Sequence, residues 1–424
     1  MSTKTASADA AALPNVRTLL AFREVALLGS TTAAAKAIHS SQPAVTQALA
    51  RLERRFGVSL FIRTSAGMTL NEAGHRCMAR VDRALGELMG GIAELTRGRP
   101  KDSSGLSAKL RRLSGTQLAA LSAVVDTGGF SAAARSTGLS RPSLHRSCRA
   151  LERMLGVAFF EQTSFGIEPT RDAERLVRRI RLAGSEIAQA QTEIEALSGQ
   201  FRGRTVIGAM PLARSSLLPE AILEFSARHP EHTISILDGP YDNMLMALRH
   251  GDADLLVGAL RDPPPVDDVV QEHLFDDVLA ILMRPGHPLL SQPDATVDEL
   301  VRFPWIAPRP GSPLRSHYEA LFSSGGLEPP RGAVECNSLS AARALLRASD
   351  RLMLLSAHQI SADLAEGTLK ILPHPHGRVI RRIGLTIRKG WRPTDVQVEL
   401  IRIMRLAAPA RLTANAAPAV LETG

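Results

Sequence analysis

Two polar helix faces in the sequence carry residue types that read DNA. Residues 42–56, QPAVTQALARLERRF, place Val45, Leu49, Leu52 and Phe56 at the spacing of a buried helical stripe. The opposite face carries small polar and basic side chains: Gln42, Ala44, Thr46, Gln47 and Arg51. Glutamine pairs with an adenine edge and arginine with guanine or phosphate, while small residues let a helix enter the major groove. The helix alone fits reading of duplex DNA and a solvated amphipathic helix equally well, and both interpretations stay open at this point.

The neighbouring segments predict the elements that would present this face. Residues 31–38, TTAAAKAI, predict a short helix that Thr32 caps, and Ser41 with Pro43 begins the helix from about Gln42 to Phe56. After Gly57, the segment VSLF, the turn TSAG and a returning MTL predict a hairpin wing whose Arg63 meets a phosphate or the minor groove. A helix, a three-residue turn and a helix form the arrangement that docks on a major groove. Thr32 and Pro43 join the candidate DNA contacts.

The same segment occurs twice in the chain. Residues 40–61 and 139–160 share eight of twenty-two positions at an offset of 99 without a gap. The second copy departs at the outward face, where Arg141, His145 and Arg146 replace Gln42, Thr46 and Gln47, and Gln162 replaces Arg63 between Glu161 and Glu168. Two interpretations stay open: a second DNA module with another base preference, contacting DNA through Arg141, Ser143, His145 and Arg146, or a retired copy kept for dimerisation because its acidic wing repels phosphate.

Each copy is followed by a long helix with a coiled-coil-like apolar stripe. Apolar residues recur three and four apart from Met78 to Leu95 and again from Leu176 to Leu197. Glycines 86, 90 and 91 weaken the first stripe, so we expect the main dimer contact on the second helix. Residues 98–112, which include GRPKDSSG, are expected to be a flexible linker.

The stretch from Ser30 to Gly74 resembles the winged helix-turn-helix of LysR-type transcriptional regulators. It matches the family's Ser, paired Ala, GlnPro, LeuGlu, Gly, LeuPhe, Arg, Leu and Gly positions in order, with Thr46 where the family usually has Ser. In that family the linker helix dimerises the DNA-binding heads. The resemblance therefore implies a two-fold pair of heads that reads a near-palindromic site in promoter DNA.

The C-terminal half predicts a small-molecule sensor. From Arg204 apolar strands alternate with amphipathic helices, which indicates βαβ units. The pattern resembles the two-lobed effector domain of the same family, and the segment VLAILMRPGHPLL matches a strand of that domain. The overall pattern is similar to that of the family's galactose-binding-protein regulator group. Ligands in such sheets bind at strand carboxyl ends and helix N-termini. The candidate effector contacts are Pro211, Leu212, Ala213, Arg214, Ser215, Ser216, Arg309, Ser312, Asn337 and Ser338.

The predicted fold class is multidomain: two all-α winged helix-turn-helix domains with long linker helices, then an α/β two-lobed domain like a type 2 periplasmic binding protein. The first head is predicted at 14–74 and its linker helix at 75–97, followed by a flexible linker at 98–112. The second head is predicted at 113–172, its dimerisation linker helix at 173–200 and the effector domain at 203–408. Within that domain, lobe I takes about 203–282 and 373–408, and lobe II about 283–372.

Charge and composition restrict the functional classes. Residues 1–203 carry 28 Lys and Arg against 17 Asp and Glu, whereas the remainder carries 23 against 25, so the repeated half is the basic one and fits a polyanion. Three scattered cysteines indicate neither a zinc finger nor a disulfide framework, and neither a metal nor a cofactor is expected. The sequence predicts a cytoplasmic homodimer or homotetramer without a membrane span, which binds double-stranded promoter DNA and a small-molecule effector.

Two other functions compete with that of a regulator. An enzyme with basic adaptor domains would need a nucleophile and base constellation, and the sequence has no HExxH, GxSxG or P-loop pattern. A solute-binding module of a transporter would need an export signal, and the first residues lack the order of basic and apolar segments of one. We therefore expect a transcriptional regulator and no catalytic residue.

Overall fold

The computed structural model describes residues 13–65, 67–97, 105–164, 166–215 and 217–408. These form an N-terminal unit, most of it before Arg204, and a C-terminal unit. Ser216 and residues 98–104 of the predicted linker lie outside the described residues.

The first head consists of three helices and a hairpin. Its elements are α1 Val16–Leu28, α2 Thr31–Ala37, α3 Gln42–Phe56, β1 Phe61–Thr64 and β2 Gly67–Leu70. Ser41 begins α3 by accepting a hydrogen bond from the Ala44 amide at 3.4 Å, as predicted. The prediction that Thr32 caps α2 is wrong: the Ser30 hydroxyl accepts from the Ala33 amide at 3.3 Å, and Thr32 lies exposed inside the first turn.

The second head repeats this architecture. Its elements are α6 Gly115–Thr127, α7 Phe130–Thr137, α8 Arg141–Leu155, β3 Phe160–Thr163 and β4 Gly166–Pro169. One link is common to both heads: the Glu53 carboxylate accepts from the Leu60 amide at 2.9 Å, and its counterpart Glu152 accepts from the Phe159 amide at 2.8 Å. Both copies therefore fix the wing to the third helix in the same way.

Two long helices follow the heads and pack on each other within the chain. They are α4 Glu72–Thr96 and α9 Arg171–Ala196, and they bury one common apolar core with both heads. This corrects the expectation of a second chain on the α9 stripe, because Leu176, Ile180, Ile187 and Ile194 are already covered in a single chain. Periodicity reveals that a helix has a stripe and cannot reveal what covers it.

Part of the predicted flexible linker is a helix. Residues Leu106–Arg112 form α5, which packs on α4 and α1. Leu110 and Leu113 are 2% and 1% exposed in the core of this unit. The seven-residue helix is too short for its periodicity to stand out, so the prediction of a flexible segment over 98–112 is wrong for 106–112.

The C-terminal unit alternates strands and helices as expected. Its strands are β5 Gly203–Ala209, β6 His232–Leu237, β7 Leu255–Ala259, β8 Val269–Met283, β9 Trp305–Ala307, β10 Val334–Glu335, β11 Leu352–Ser356, β12 Lys370–Leu372 and β13 Ile380–Arg388. Its α-helices are α10 Pro211–Ser215, α11 Leu217–Arg228, α12 Tyr241–His250, α13 Val297–Leu300, α14 Pro313–Ser323, α15 Leu339–Ala348, α16 Ser361–Ala365 and α17 Asp395–Ala407. Single 3₁₀ turns occupy Pro288–Ser291 and Ala357–Ile360.

Two long strands join the two lobes of this unit. The sheet order is β10-β9-β11-β8-β13-β7-β5-β6, with β12 on β8. β5 pairs with β7 and β9 with β10 and β11 in parallel, whereas β8 and β13 run antiparallel to their neighbours. β13 returns to the first lobe by pairing with β7, as predicted, and the sheet is mixed because the two crossing strands reverse direction.

Candidate DNA-reading surface and effector cleft

Helix α3 buries one face and exposes the predicted reading face. Val45, Leu49 and Leu52 are each 1% exposed, and Phe56 is 3% exposed. Gln42, Pro43, Ala44, Gln47 and Arg51 are exposed, Thr46 is half-buried, and Arg63 is exposed on the wing. The structure thus brings the first set of candidate DNA contacts onto one surface.

The polar residues at the start of α3 are also connected to each other. The Thr46 hydroxyl donates to the Gln42 carbonyl at 3.1 Å, and the Gln42 side-chain amide donates to the Thr31 hydroxyl at 3.5 Å. The Gln47 side chain is exposed and, within the described residues, takes no part in a side-chain hydrogen bond. It is the amide best placed to pair with a base edge.

Helix α8 presents a different surface from the same position in the second head. Arg141 and Arg146 are exposed, and Arg146 donates to the Ser143 hydroxyl at 3.0 Å. The His145 ring stacks on Phe130, with centroids 3.7 Å apart and planes at 9°. Burial, and then the nearby Arg141 and Arg149 cations, lower the pKa of His145, which favours a neutral ring. The cationic part of this surface is therefore supplied by arginine.

Phe130 shows why His145 took the place of a threonine. Counting back 99 residues, Phe130 corresponds to Thr31 and His145 to Thr46. In the first head this pair is polar and small; in the second it is an aromatic stack. The two changes are complementary, since each ring covers the other. Sequence reasoning found the replacement of Thr46 and missed its partner.

The two wings differ in charge. In the first wing Ile62 lies opposite Thr69 and Arg63 opposite Met68. In the second wing Glu161 lies directly opposite Glu168, and both are exposed. Like charges that face each other across a hairpin repel, and both would repel a phosphate. The second head therefore combines a cationic helix with an anionic wing.

A cavity of about 390 Å³ lies in the C-terminal unit beside the strands that join its lobes. Its lining comes from the end of β7 and the following connection, from β8 and β13, and from α14: Ala259, Leu260, Arg261, Asp262, Pro264, Gln271, His273, His317, Ile380, Arg381 and Arg382. The Arg261 guanidinium lies 3.9 Å from the centroid of the Tyr241 ring. Gln271 Nε2 is a buried donor without a hydrogen-bond partner within the described residues. Three arginines against one aspartate give the cavity a cationic lining.

One cavity residue is also part of a buried ion pair between the joining strands. Arg381 Nη2 lies 2.6 Å from the carboxylate of Asp277, which is fully buried and also accepts from the Ser356 hydroxyl. Asp277 belongs to β8, Arg381 to β13 and Ser356 ends β11. Burial and Arg381 lower the pKa of the nearby His317. A ligand in this cavity would touch a residue that holds the joining strands together.

Family comparisons match the two units separately. Residues 198–407 match the LysR substrate binding domain, and residues 16–75 and 116–174 each match the bacterial regulatory helix-turn-helix protein family of lysR type. These matches take in more than half of the chain. The chain belongs to the LysR family of transcriptional regulators.

Individual relatives agree with the family. The HTH-type transcriptional regulator GalR of Pseudomonas putida is 35% identical over 395 residues, with 93% of this chain and 97% of that protein covered. PcaQ of Agrobacterium fabrum is 30% identical over 270 residues, 64% of this chain and 87% of its own. An alignment of 395 residues must include both heads, whereas one of 270 residues has room for a single head. These relatives are named as transcriptional regulators, so the prediction of a regulator and not an enzyme is confirmed.

Solved structures share the LysR fold. ArgP from Mycobacterium tuberculosis has a TM-score of 0.54 at 18% identity, covering 70% of this chain and 98% of its own. A full-length OxyR variant from Pseudomonas aeruginosa has a TM-score of 0.51 at 21% identity, covering 69% of this chain and 93% of its own. The predicted fold class is confirmed.

Among the described helices of this LysR regulator, none has the length and apolarity that a membrane crossing requires.

The predicted effector residues that the structure of this LysR chain describes do not line this cavity. Leu212 and Ala213 of α10 are 3% and 0% exposed and pack in the first lobe's core. Arg214 pairs with Asp238 at 2.6 Å. Pro211 and Ser215 lie at the two ends of α10, where the Ser215 hydroxyl donates to the Leu212 carbonyl at 3.0 Å.

The candidates of the second lobe hold its loops. The Asn337 side chain accepts from the Arg309 amide at 3.0 Å, and the Ser312 hydroxyl donates to the Arg309 carbonyl at 2.9 Å. Ser338 begins α15 by accepting from the Ala341 amide at 3.3 Å. The structure brings Arg309, Ser312 and Asn337 together and gives each a local bond. The effector contacts predicted after strand ends stay a prediction. The cavity beside the joining strands is a second candidate site, and its arginines belong to no sequence motif.

Proposed function

We propose that this LysR regulator binds promoter DNA through the exposed face of α3 and senses a small anionic metabolite in the cavity beside its joining strands. The observation that carries the proposal is the α3 surface: a fully buried apolar stripe fixes the helix, and Gln42, Gln47 and Arg51 are exposed on it. The expected assembly is a cytoplasmic homodimer or homotetramer.

DNA recognition is tested by selection of binding sites. The full chain is incubated with a pool of random duplexes, and the enriched sequence is measured by mobility shift at several salt concentrations. We expect an enriched motif whose binding constant falls linearly on a log–log plot with salt, with a slope set by the number of phosphates contacted. An unenriched pool or a flat salt response would contradict the proposal.

The effector is proposed to be an anion because of the cavity's charges. Arg382 is exposed at the cavity and has no ion pair within the described residues, and Arg261 also lines the cavity. A charge-assisted hydrogen bond to a carboxylate is about twice as strong as a neutral one. The ligand would also approach Arg381, whose bond to Asp277 ties β13 to β8. Binding there would change the free-energy difference between two arrangements of the lobes.

Arg382→Gln is expected to weaken effector binding about tenfold, since about 1.4 kcal/mol is lost with one charge-assisted bond. The measurement is a thermal-shift and calorimetric screen of small mono- and dicarboxylates against their neutral amides. Arg302→Gln removes an exposed arginine of the second lobe outside the cavity and serves as the matched control. Amides that stabilise the protein as well as the acids would exclude an anionic effector.

Glu161→Gln with Glu168→Gln is expected to tighten DNA binding about two- to fivefold at low salt, since two carboxylates near phosphate are removed. The gain should shrink as salt rises because the interaction is screened. Glu328→Gln with Glu366→Gln removes the same charge from exposed positions of the C-terminal unit and should leave affinity unchanged. An equal gain from both pairs would point to net charge and not to the wing.

A further inference from the structure

The pairing of the two linker helices has an internal symmetry. Arg80 of α4 is fully buried and donates to Glu186 at 2.8 Å and to Glu193 at 2.5 Å, both on α9. Arg179 of α9 pairs with Glu87 at 2.6 Å and with Glu94, both on α4. The start of each helix thus meets the later part of the other, so the helices run antiparallel.

The partners in these two clusters are counterparts in the repeat. At the offset of 99, Arg80 corresponds to Arg179, Glu87 to Glu186, and Glu94 to Glu193. Arg80 contacts Glu186, which is the counterpart of Glu87, and Arg179, which is the counterpart of Arg80, contacts Glu87. Each ion pair of one cluster is therefore repeated in the other with the two helices exchanged. That reciprocity defines an isologous, two-fold interface, which in an oligomer joins two identical subunits. Here both halves of the interface belong to one chain.

Two glycines allow the close approach of these helices. A Cβ at Gly91 would lie 3.1 Å from Arg179 Cβ and 3.2 Å from Leu176 Cδ1, and one at Gly90 would lie 3.6 Å from Arg179 Cζ. Gly90 and Gly91 thus admit the partner helix, a packing role that the expectation of a weakened first stripe did not include. The counterpart of Gly90 is Gln189, which accepts a hydrogen bond from Arg80. The cluster around Arg80 thus has a hydrogen bond to Gln189 that the cluster around Arg179 lacks, because Gly90 stands at the corresponding position.

Each head packs on its own linker helix through the same element, α1 on α4 and its counterpart α6 on α9, so the two-fold relation of the linker helices carries over to the heads. Helices α3 and α8 are then the two members of a head pair. They display unlike residues: Gln42 and Gln47 on one, Arg141 and Arg146 on the other. Glutamine selects adenine, whereas arginine selects guanine.

We propose that a single chain is the complete two-headed reader of a non-palindromic operator, with an adenine-directed half-site under α3 and a guanine-directed half-site under α8. The inference rests on the proposed DNA binding. It replaces the expectation of a near-palindromic site read by heads from two chains, because the seam that would hold a second chain's linker helix is filled.

The test uses the full chain and the shortest duplex that keeps full affinity after selection from a random pool. We expect two unlike half-sites and saturation at one duplex per chain, whether or not chains associate elsewhere. A palindromic motif, or saturation at two chains per duplex, would overturn the inference while leaving DNA binding intact. Failure to select any sequence would instead remove the proposed function itself.

Paired variants assign each half-site. Thr46→Ala with Gln47→Ala should lose protection and base preference in one half of the footprint, and Arg141→Ala with Arg146→Ala in the other half, each with about tenfold or greater loss of affinity. Arg153→Ala, at the exposed last turn of α8, controls for loss of charge and should preserve both half-sites. A footprint that the Arg141 and Arg146 pair leaves unchanged would refute the second reader. Circular dichroism of each variant verifies that the helices are intact.

Discussion

Replacing Arg80 by alanine is expected to lower the free energy of unfolding of the N-terminal unit by about 3–5 kcal/mol, as for other buried ion pairs that lose one partner. Arg80 is fully buried, and its guanidinium is the cation beside Glu193, whose side chain is 4% exposed. Glu186 retains its ion pair with Arg83 at 2.9 Å, so the variant removes more electrostatic stabilisation from Glu193 than from Glu186. An unpaired carboxylate without water is the physical source of the loss.

Unfolding of the two units can be followed by two different spectroscopic signals. Both tryptophans, Trp305 and Trp391, belong to the C-terminal unit, whereas the N-terminal unit is mostly helical. Urea unfolding followed by far-UV circular dichroism should shift to lower denaturant in the Arg80→Ala variant. The transition followed by tryptophan fluorescence should stay in place.

The repeat also provides a matched control at the symmetry-related position. Arg179→Ala removes the counterpart arginine, whose side chain is 24% exposed and whose partners Glu87 and Glu94 are 27% and 34% exposed. Water can solvate the carboxylates left behind, so we expect a loss of about 1 kcal/mol. Equal losses at the two positions would show that burial does not set the energy of this cluster.

The local signals in the sequence were sufficient for the DNA-reading helix. Its bounds, Gln42 and Phe56, and its buried stripe agree with the structure, because Ser41 caps it and Gly57 ends it at a φ of 72°. Both signals act within a few residues of the helix ends. The longer strands and helices of the C-terminal unit follow from the same kind of local signal. The short elements α10, α13, α16 and β12 were not predicted, nor was the first part of β8, where the half-exposed QEHLFDD hides the alternation of a strand.

Contacts between distant segments could not be predicted in this way. The stripe of α4 contains Arg80 between Cys77 and Val81, and an arginine inside an apolar stripe signals a buried acidic partner. Nothing local says that the partner is Glu193, 113 residues further along the chain. Likewise Arg261 and Arg381 reach one cavity from separate segments, and neither belongs to a motif. The repeat at an offset of 99 residues is visible in the sequence. Only the structure shows that the repeated arginines and glutamates contact each other across the two linker helices.

Replacing Gln47 by alanine is expected to reduce affinity for the selected operator by about 1–3 kcal/mol, or roughly five- to 150-fold. Gln47 is exposed on α3, so the change should leave stability unaltered. Its loss removes a bidentate amide that an adenine edge requires, and affinity for unrelated DNA should stay as it was. The measurement is a fluorescence-anisotropy titration with operator and scrambled duplexes at several salt concentrations.

Arg51→Ala separates base reading from phosphate binding on the same helix. Arg51 is exposed one turn further along, where a guanidinium meets backbone phosphate more readily than a base edge. Its removal should weaken operator and scrambled duplexes alike and lower the salt slope by about 1. Gln47→Ala should relax the base preference at one position and leave the slope unchanged, because no charge is lost. If Gln47→Ala weakened both duplexes equally, α3 would be a phosphate-binding surface and the selection of the operator would have to come from α8.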